Sequence, residues 1–251
     1  MNDLTLIVCS YHTPRVLVAM LQSFAHFHNA QLPQKIIVME NSKDDETIKQ
    51  LDFFSVPYVR NPGDTHSPSL DKALYLCKTK YALVVDSDVL FERNVTEAFS
   101  FFKANRGVLM GELVKSRGGY KLMNRIGPWF MFVDVEEIQK KGIRFHDQKR
   151  IEETKSQGFF GNIPLQQNNG TVYYDVGSSF LEDVMKAGLL VLNMSEDTRK
   201  EFVQHYEGMS WRTKTGVPAY VMWGNKVESE FLKHAKKFED IDLNGKFING
   251  G

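Results

Sequence analysis

The chain has 251 residues, enough to bury a core as one large domain or two small ones, and its 42% hydrophobic and 25% charged content is ordinary for a soluble globular protein. Lysine plus arginine balances aspartate plus glutamate at 31 each, so no global basic field points to nucleic acid or to a membrane surface. Two cysteines, Cys9 and Cys77, cannot build a disulfide framework, the opening MNDLTLIVCS starts a strand rather than a signal peptide, and no apolar run reaches the roughly 20 residues of a membrane span, so the sequence reads as soluble and cytoplasmic.

The first element, LTLIVCS (Leu4 to Ser10), is continuously apolar and predicts a buried strand. A helix follows, with Thr13 at its N-cap, Pro14 at its first position, and Val16, Met20, Phe24 and Phe27 on one face. KIIVME is a second strand, DDETIKQLDFF a short helix, PYVRN a brief third strand, and SPSLDKALYLCK a helix opened by Ser67 and Pro68. YALVVD is the fourth strand, and Asn94 with Glu97 resembles a capping box for a helix ending near Asn105. Strands that are continuously rather than alternately apolar, joined by helices, belong to a parallel sheet covered on both faces. Residues 1–105 therefore predict a doubly wound α/β half.

Residues 106–240 are less regular. WFMFVDVEEIQKKG predicts a strand entering a short helix that stops at Gly142, and SSFLEDVMKAG, LLVLN and VESEFLKHAKKF predict a helix, a strand and a last helix. Between them, from Phe145 to Gly170, the chain is polar and dotted with glycine, with the length of a functional lid or a linker. The tail, 241–251, reads as frayed, and the whole as a single domain. Lys115, Arg117, Lys121 and Arg125, and then Lys140, Lys141, Arg144, Lys149 and Arg150, read as a solvated basic face, with an anionic surface as the lesser alternative.

In an open parallel sheet, ligands bind outside the carboxyl ends of the strands. There stand Ser10 and Tyr11 after the first strand, Glu40, Asn41 and Ser42 after the second, and Asp86, Ser87 and Asp88 after the fourth. Two adjacent carboxylates repel each other, and a divalent cation relieves the repulsion; Mg²⁺ or Mn²⁺ accepts such oxygen ligands together with substrate phosphates. Asp-x-Asp is also ordinary turn chemistry, so spacing alone leaves both readings open.

The segments LTLIVCSYHTPRVLVAMLQSF, IIVMENSKDDET, SPSLDKAL and YALVVDSDVLF resemble, in order and spacing, those of a family-2-like glycosyltransferase with the GT-A fold. The resemblance implies a mainly parallel GT-A sheet with an irregular acceptor-side half. It also implies metal-dependent transfer of a sugar from a nucleotide diphosphate sugar to an acceptor hydroxyl, with inversion. By that resemblance Asp86, Ser87 and Asp88 bind metal and diphosphate, Ser10 and Tyr11 hold the base, and His66 with Asp71 and Lys72 runs beneath the diphosphate and sugar. Glu40 stands where the family usually has aspartate in Val-Asp-Asn-x-Ser, followed here by Asn41 and Ser42. HYEGMSW resembles a late His-x-x-Gly-x-Ser segment, which implies His205 as a third ligand beside Asp86 and Asp88, with Mn²⁺ or Mg²⁺ as cofactor.

The acceptor also needs a carboxylate base. The family's acidic pair has no direct counterpart; Asp175, ahead of Gly177 and Ser178 where a helix should open, is the first candidate and Asp183 the second. Phe159 and Phe160 suggest a lid or acceptor contact, whereas Trp129 reads as packing. The acceptor itself stays open among a glycan, a lipid-linked sugar, a protein and a modified DNA base, with attachment at the inner membrane face as an alternative to free cytoplasmic location. Two other functions compete: a sugar-phosphate nucleotidyltransferase, although CSYHTPRV lacks that class's glycine-rich loop, and an inactive nucleotide- or sugar-binding protein of the same fold.

Overall fold

In a computed structural model, which describes residues 3–28, 34–117, 120–147, 149–150, 159–160, 163–164, 172–173, 177–207, 209 and 218–251, the run Leu4–Ser10 forms strand β1, buried at every position. Helix α1 (Pro14–Phe27) starts at the proline, and β2 (Gln34–Glu40), α2 (Glu46–Phe53), β3 (Tyr58–Arg60), α3 (His66–Leu76) and β4 (Tyr81–Asp86) complete the alternation. Strand β1 lies between β2 and β4 and is parallel to both. Successive side chains of a strand point to opposite faces, and here both faces are covered. Leu6 and Val8 join α1 and the phenylalanines Phe24, Phe91, Phe102 and Phe130 in one core, while Ile7 and Cys9 join Leu70, Leu74 and Phe180 in the other. That is why the strands carry no polar alternation.

Past β5 (Val89–Phe91) and α4 (Thr96–Ala104), the sheet changes direction. Strand β7 (Tyr120–Asp134) pairs antiparallel with β4 and with β6 (Leu109–Arg117), so an antiparallel section is grafted onto the parallel one. The strand Val191–Asn193 then pairs in parallel with β6 at the sheet's edge. Helix α5 (Val135–Lys141) is capped at its start by Asp134, whose side chain accepts the Glu137 N–H at 3.1 Å, and ends on Gly142 at φ 65°. No helix among the described residues is long and apolar enough to cross a membrane.

Three local expectations change. The tail is not frayed: Phe247–Asn249 pairs in parallel with β2, because Leu243 and Phe247 are only 1% and 4% exposed and Phe247 stacks near Phe24. The apolar residues of this segment, Ile241, Leu243, Phe247 and Ile248, show no steady period for the sequence to display. At α4, Asn94 Oδ1 accepts the Thr96 N–H at 2.7 Å, but Glu97 is drawn to Arg93 at 2.6 Å, so no capping box closes. The last long helix begins at Pro218, well before the expected apolar stripe. Most of the polar stretch from Phe145 to Gly170 lies outside the described residues.

His28 closes α1. Its Nδ1 donates to the Phe24 carbonyl at 2.7 Å, and its Nε2 must accept the Val95 N–H at 3.1 Å, which requires a neutral ring. Burial lowers its pKa from 6.5 to about 4, against a smaller opposing pull from the Phe24 carbonyl. Between those values the unfolded chain binds the proton and the folded chain does not, so this contribution to stability is full above pH 6.5 and is lost as pH falls toward 4. The slope is at most about 1.4 kcal/mol per pH unit. Urea midpoints measured at pH 7.5 and pH 5 are expected to differ less in His28→Leu than in the unaltered protein.

Candidate active site

Register sets the site. Cys9 pairs with Asp86 across β1 and β4, and Ser10 with Glu40 across β1 and β2, so three strand ends arrive together at the carboxyl edge of the sheet. A cleft of about 440 Å³ opens there, lined by Ser10, Tyr11, Asn41, Lys43, Thr65, His66, Asp86, Ser87 and Asp88 among others. Ser87 turns inward: its hydroxyl lies 3.1 Å from the Thr13 hydroxyl at the start of α1. Thr13 therefore occupies the N-cap position without capping, its side chain holding the Asp-Ser-Asp turn instead.

Beyond that turn, β5 pairs antiparallel with Val203–His205, placing His205 opposite Val89, and the Tyr206 N–H donates to the Asp88 carbonyl at 2.9 Å. This short ladder brings His205 Nε2 to 3.4 Å from Asp88 Oδ1. One ligating atom from each of Asp86, Asp88 and His205 falls within 4.8 Å of the others. Asp88 Oδ1 is buried with no hydrogen-bond partner among the described residues. Two carboxylates and an imidazole, with a buried oxygen left unbonded, fit a divalent cation of the Mn²⁺ or Mg²⁺ kind.

On the cleft side, His66 opens α3 and its Nε2 lies 3.2 Å from Asp86 Oδ1. Burial would push the Asp86 carboxyl up, but the charge and hydrogen bond of His66, with lesser pulls from His205 and Arg125, hold it below the usual carboxylate value. Burial acts on His66 in the opposite sense, lowering it, and is outweighed by Asp86 and then by Cys9, so its pKa lies well above 6.5. Each therefore favours the charged form of the other.

Sequence reasoning missed two contributors, both on β7. The Trp129 ring stacks on His205 with centroids 5.1 Å apart and planes 14° apart, and the Arg125 guanidinium lies 4.9 Å from the Trp129 ring. Arg125 had been grouped with a solvated face, yet it is 3% exposed. A signal was present in Gly127-Pro128-Trp129. A Cβ on Gly127 would come within 2.4 Å of the Trp129 ring, so only glycine lets the indole fold back over its own strand.

The remaining candidates are distributed around the cleft. Glu40 is fully buried, with Oε1 accepting the Ser42 N–H at 2.7 Å, and burial raises its pKa against the pull of Ser42 and Ser10. Ser42 Oγ accepts the His12 N–H at 2.7 Å. These two shape the loop below the cleft, while Asn41 and Tyr11 line it. Asp71 accepts the Phe145 and His146 N–H groups at 2.6 and 3.0 Å, and Lys72 donates to Asn61 at 2.8 Å, so neither lines the cleft. Asp183 lies 2.7 Å from Arg150, which also meets Asp147 and Glu182. Asp175 lies outside the described residues, as do Gly208, Ser210 and Trp211; Phe159–Phe160 form a two-residue strand against Ile163–Pro164.

The sequence model of glycosyl transferase family 2 matches residues 5–173. The chain belongs to that family. This glycosyltransferase shares its GT-A fold with solved structures of low identity. It aligns with the mannosyltransferase PcManGT of Pyrobaculum calidifontis in complex with GDP-Man and Mn²⁺ at 13% identity and TM-score 0.54, over 94% of this chain and 73% of that one. It aligns with TarS 1–349 of S. aureus in complex with UDP at 16% and 0.52, over 94% and 72%. GlyE of Streptococcus pneumoniae TIGR4 gives 10% and 0.52, over 98% and 65%. Against the longer TarS chain, the glycosyltransferase spans 44% of that length. No curated protein matches it by sequence. Family membership sets the nucleotidyltransferase reading aside.

Thr13 is 3% and Ser87 8% exposed, so the bond between their hydroxyls is shielded from water. Thr13→Val keeps the shape and strands the Ser87 hydroxyl, which is expected to cost about 1–3 kcal/mol in urea unfolding.

Proposed function

We propose that the chain transfers a sugar, with inversion, from a nucleotide diphosphate sugar to an acceptor hydroxyl, with a divalent cation held by Asp86, Asp88 and His205. The observation that carries this reading is the convergence of those three side chains beside the cleft, with Asp88 Oδ1 buried and unbonded. GDP-Man with Mn²⁺ in the PcManGT structure and UDP in that of TarS 1–349 support a nucleotide diphosphate donor and favour manganese. When bound, such a cation supplies Lewis-acid neutralisation of the charge that develops on the diphosphate leaving group.

The protein's own groups do the rest. His66, 3.2 Å from Asp86 and standing at the N-terminus of α3, brings a nitrogen donor and the helix dipole to the cleft where the diphosphate would lie. Ser10, Tyr11 and Asn41 receive the nucleoside, with the 41% exposed Tyr11 ring available for stacking. Glu40 and Ser42 hold the loop beneath the base, and Asp71 and Lys72 support the wall from behind. Trp129 fixes the plane of the His205 ring so that Nε2 faces Asp88. Asp175 takes the proton from the acceptor hydroxyl as it attacks; Asp183, engaged with Arg150, is the less suited of the two carboxylates. The acceptor is a hydroxyl compound, with a glycan, a lipid-linked sugar, a protein and a modified DNA base as the classes to try.

A thermal-shift panel of UDP, GDP and their sugars, with and without Mn²⁺, tests the donor site. Metal-dependent stabilisation by one nucleotide is expected, worth about 2.7 kcal/mol at a hundredfold excess over Kd; no shift with any of them would refute it and leave a fold without a donor. Asp88→Ala is expected to abolish transfer at an unchanged melting temperature in the absence of ligand. Asp175→Asn should retain donor stabilisation while turnover falls by about 10²–10⁴-fold, and normal turnover would assign the base elsewhere.

A further inference from the structure

Of the three side chains that converge beside the cleft, His205 has the weakest local support. Asp86 ends β4 inside the main sheet, and Asp88 follows two residues later. His205 ends the three-residue strand Val203–His205, which forms a two-stranded sheet with β5 apart from the main one. An isolated pair of strands is marginal in water, and its ends open most readily. The Glu92 N–H donates to the Phe202 carbonyl at one end of this ladder, at 2.8 Å, and the Tyr206 N–H to the Asp88 carbonyl at the other, at 2.9 Å. Trp129 stacks on the His205 ring, which constrains the tilt of the ring but not the backbone that carries it.

The last long helix, Pro218–Ala235, ties both strands from outside the ladder. His234 Nδ1 shares a hydrogen bond of 2.5 Å with the Tyr206 hydroxyl, and its Nε2 lies 3.1 Å from Glu92 Oε1. Tyr206 directly follows the strand that ends in His205, and Glu92 directly follows β5. One imidazole thus meets the residue just beyond the carboxyl end of each strand. Phe231 adds an edge-to-face contact with the Tyr206 ring at 5.2 Å, and Lys237 lies 3.1 Å from Glu92 Oε2.

The helix can serve as an anchor because it is itself seated. Val227, Phe231 and Ala235 are buried in the same core as Met20 and Phe24 of α1. Just past the helix, the Gln22 amide of α1 donates to the Glu239 and Ile241 carbonyls at 3.1 Å each. Thr13, at the start of α1, holds the Asp-Ser-Asp turn. Both the aspartates and the histidine are therefore referred to one helix, α1, the histidine by way of His234.

We infer that Tyr206 and His234 are positioning residues for the metal site, a hydroxyl–imidazole tie by which the last helix holds the end of the Val203–His205 strand and keeps the His205 imidazole turned to Asp88. Neither residue touches the cation. The inference rests on the reading of Asp86, Asp88 and His205 as metal ligands. A ligand held in place before the metal arrives loses less freedom on binding it, so outer partners of this kind act on metal affinity.

Tyr206→Phe is the smallest cut, since it removes one oxygen and leaves the ring against Phe231. The protein is titrated with Mn²⁺ alone, free Mn²⁺ being read from its paramagnetic resonance signal, and spin-echo modulation at saturation reads nitrogen coordinated to the bound ion. The unaltered protein is expected to show imidazole nitrogen on Mn²⁺ that His205→Ala removes. Tyr206→Phe is expected to bind Mn²⁺ about tenfold more weakly, with shallower nitrogen modulation, and His234→Leu should match it. The double variant should lose no more than about twofold beyond either single one, because both cut the same tie. His234→Gln, which keeps a side-chain partner for the hydroxyl, should recover most of the affinity. A merely structural tie would lower the urea midpoint and leave Mn²⁺ affinity and nitrogen modulation unchanged, a result that overturns the proposal. Weaker binding with full modulation overturns it as well, since the hydroxyl would then act on the carboxylates. If the unaltered protein binds no Mn²⁺, or binds it without nitrogen, the ligand assignment itself fails, a result distinct from either of these.

Discussion

Two carboxylates one residue apart at the end of a buried strand repel each other, and the surroundings of Asp86 and Asp88 are an answer to that repulsion. His66 comes from the start of α3, His205 from the ladder against β5, and Arg125 from β7, so positive or neutralisable groups reach the pair from three separate parts of the chain. None of these is a neighbour in sequence. The price of bringing two negative charges together is thus spread over the fold, and the site exists only where the parallel half and the antiparallel addition meet. Asp88 Oδ1 is buried without a hydrogen bond and faces His205 Nε2 at 3.4 Å, so carboxylate and imidazole are turned toward the same point.

Around this charged centre the nucleotide wall is held by neutral groups. Hydroxyl to hydroxyl contact fixes Ser87 on Thr13, and an amide chain fixes Asn41 on Asn61. Neutral hydrogen bonds give direction without adding a long-range field, so they can orient a wall without disturbing the electrostatics on which a diphosphate depends. Glu40 and Lys72 lie behind the wall, Glu40 holding the Ser42 N–H and Lys72 the Asn61 side chain.

The legibility of this arrangement follows the range of the interactions. Strands β1 and β4 and the Asp-Ser-Asp turn could be read directly, since a strand buried on both faces writes itself as a short continuous apolar run. Ser10, Asn41 and Asp86 followed from the strand ends. His205 was legible only through resemblance, because its place depends on pairing with β5 across more than a hundred residues. Trp129 and Arg125 were not legible at all as site residues: a cation in a basic stretch looks solvated until an indole and a carboxylate are folded against it. Asp183 showed the opposite effect, an acidic pair that resembled chemistry and instead receives Arg150. Asp71 and Lys72 were located in the right neighbourhood by resemblance, but their partners, backbone amides and another side chain, are set by tertiary contact alone.

The outer edge of β2 is covered by two short pieces laid end to end. Strand β3 pairs with Val38 to Glu40, and Phe247–Asn249 pairs with Gln34 to Ile36. Edge strands are templates for unwanted pairing, and short interrupted cover of this kind offers little to copy. The cover has a temporal cost, however. During synthesis β2 and its first partners emerge long before Phe247, so half of that edge stays bare while the rest of the sheet assembles. A nascent or partly unfolded molecule therefore presents an unpaired strand flank, Gln34 to Ile36, to its neighbours, so exposure to self-association through this edge belongs to the interval before the distant segment arrives rather than to the finished fold.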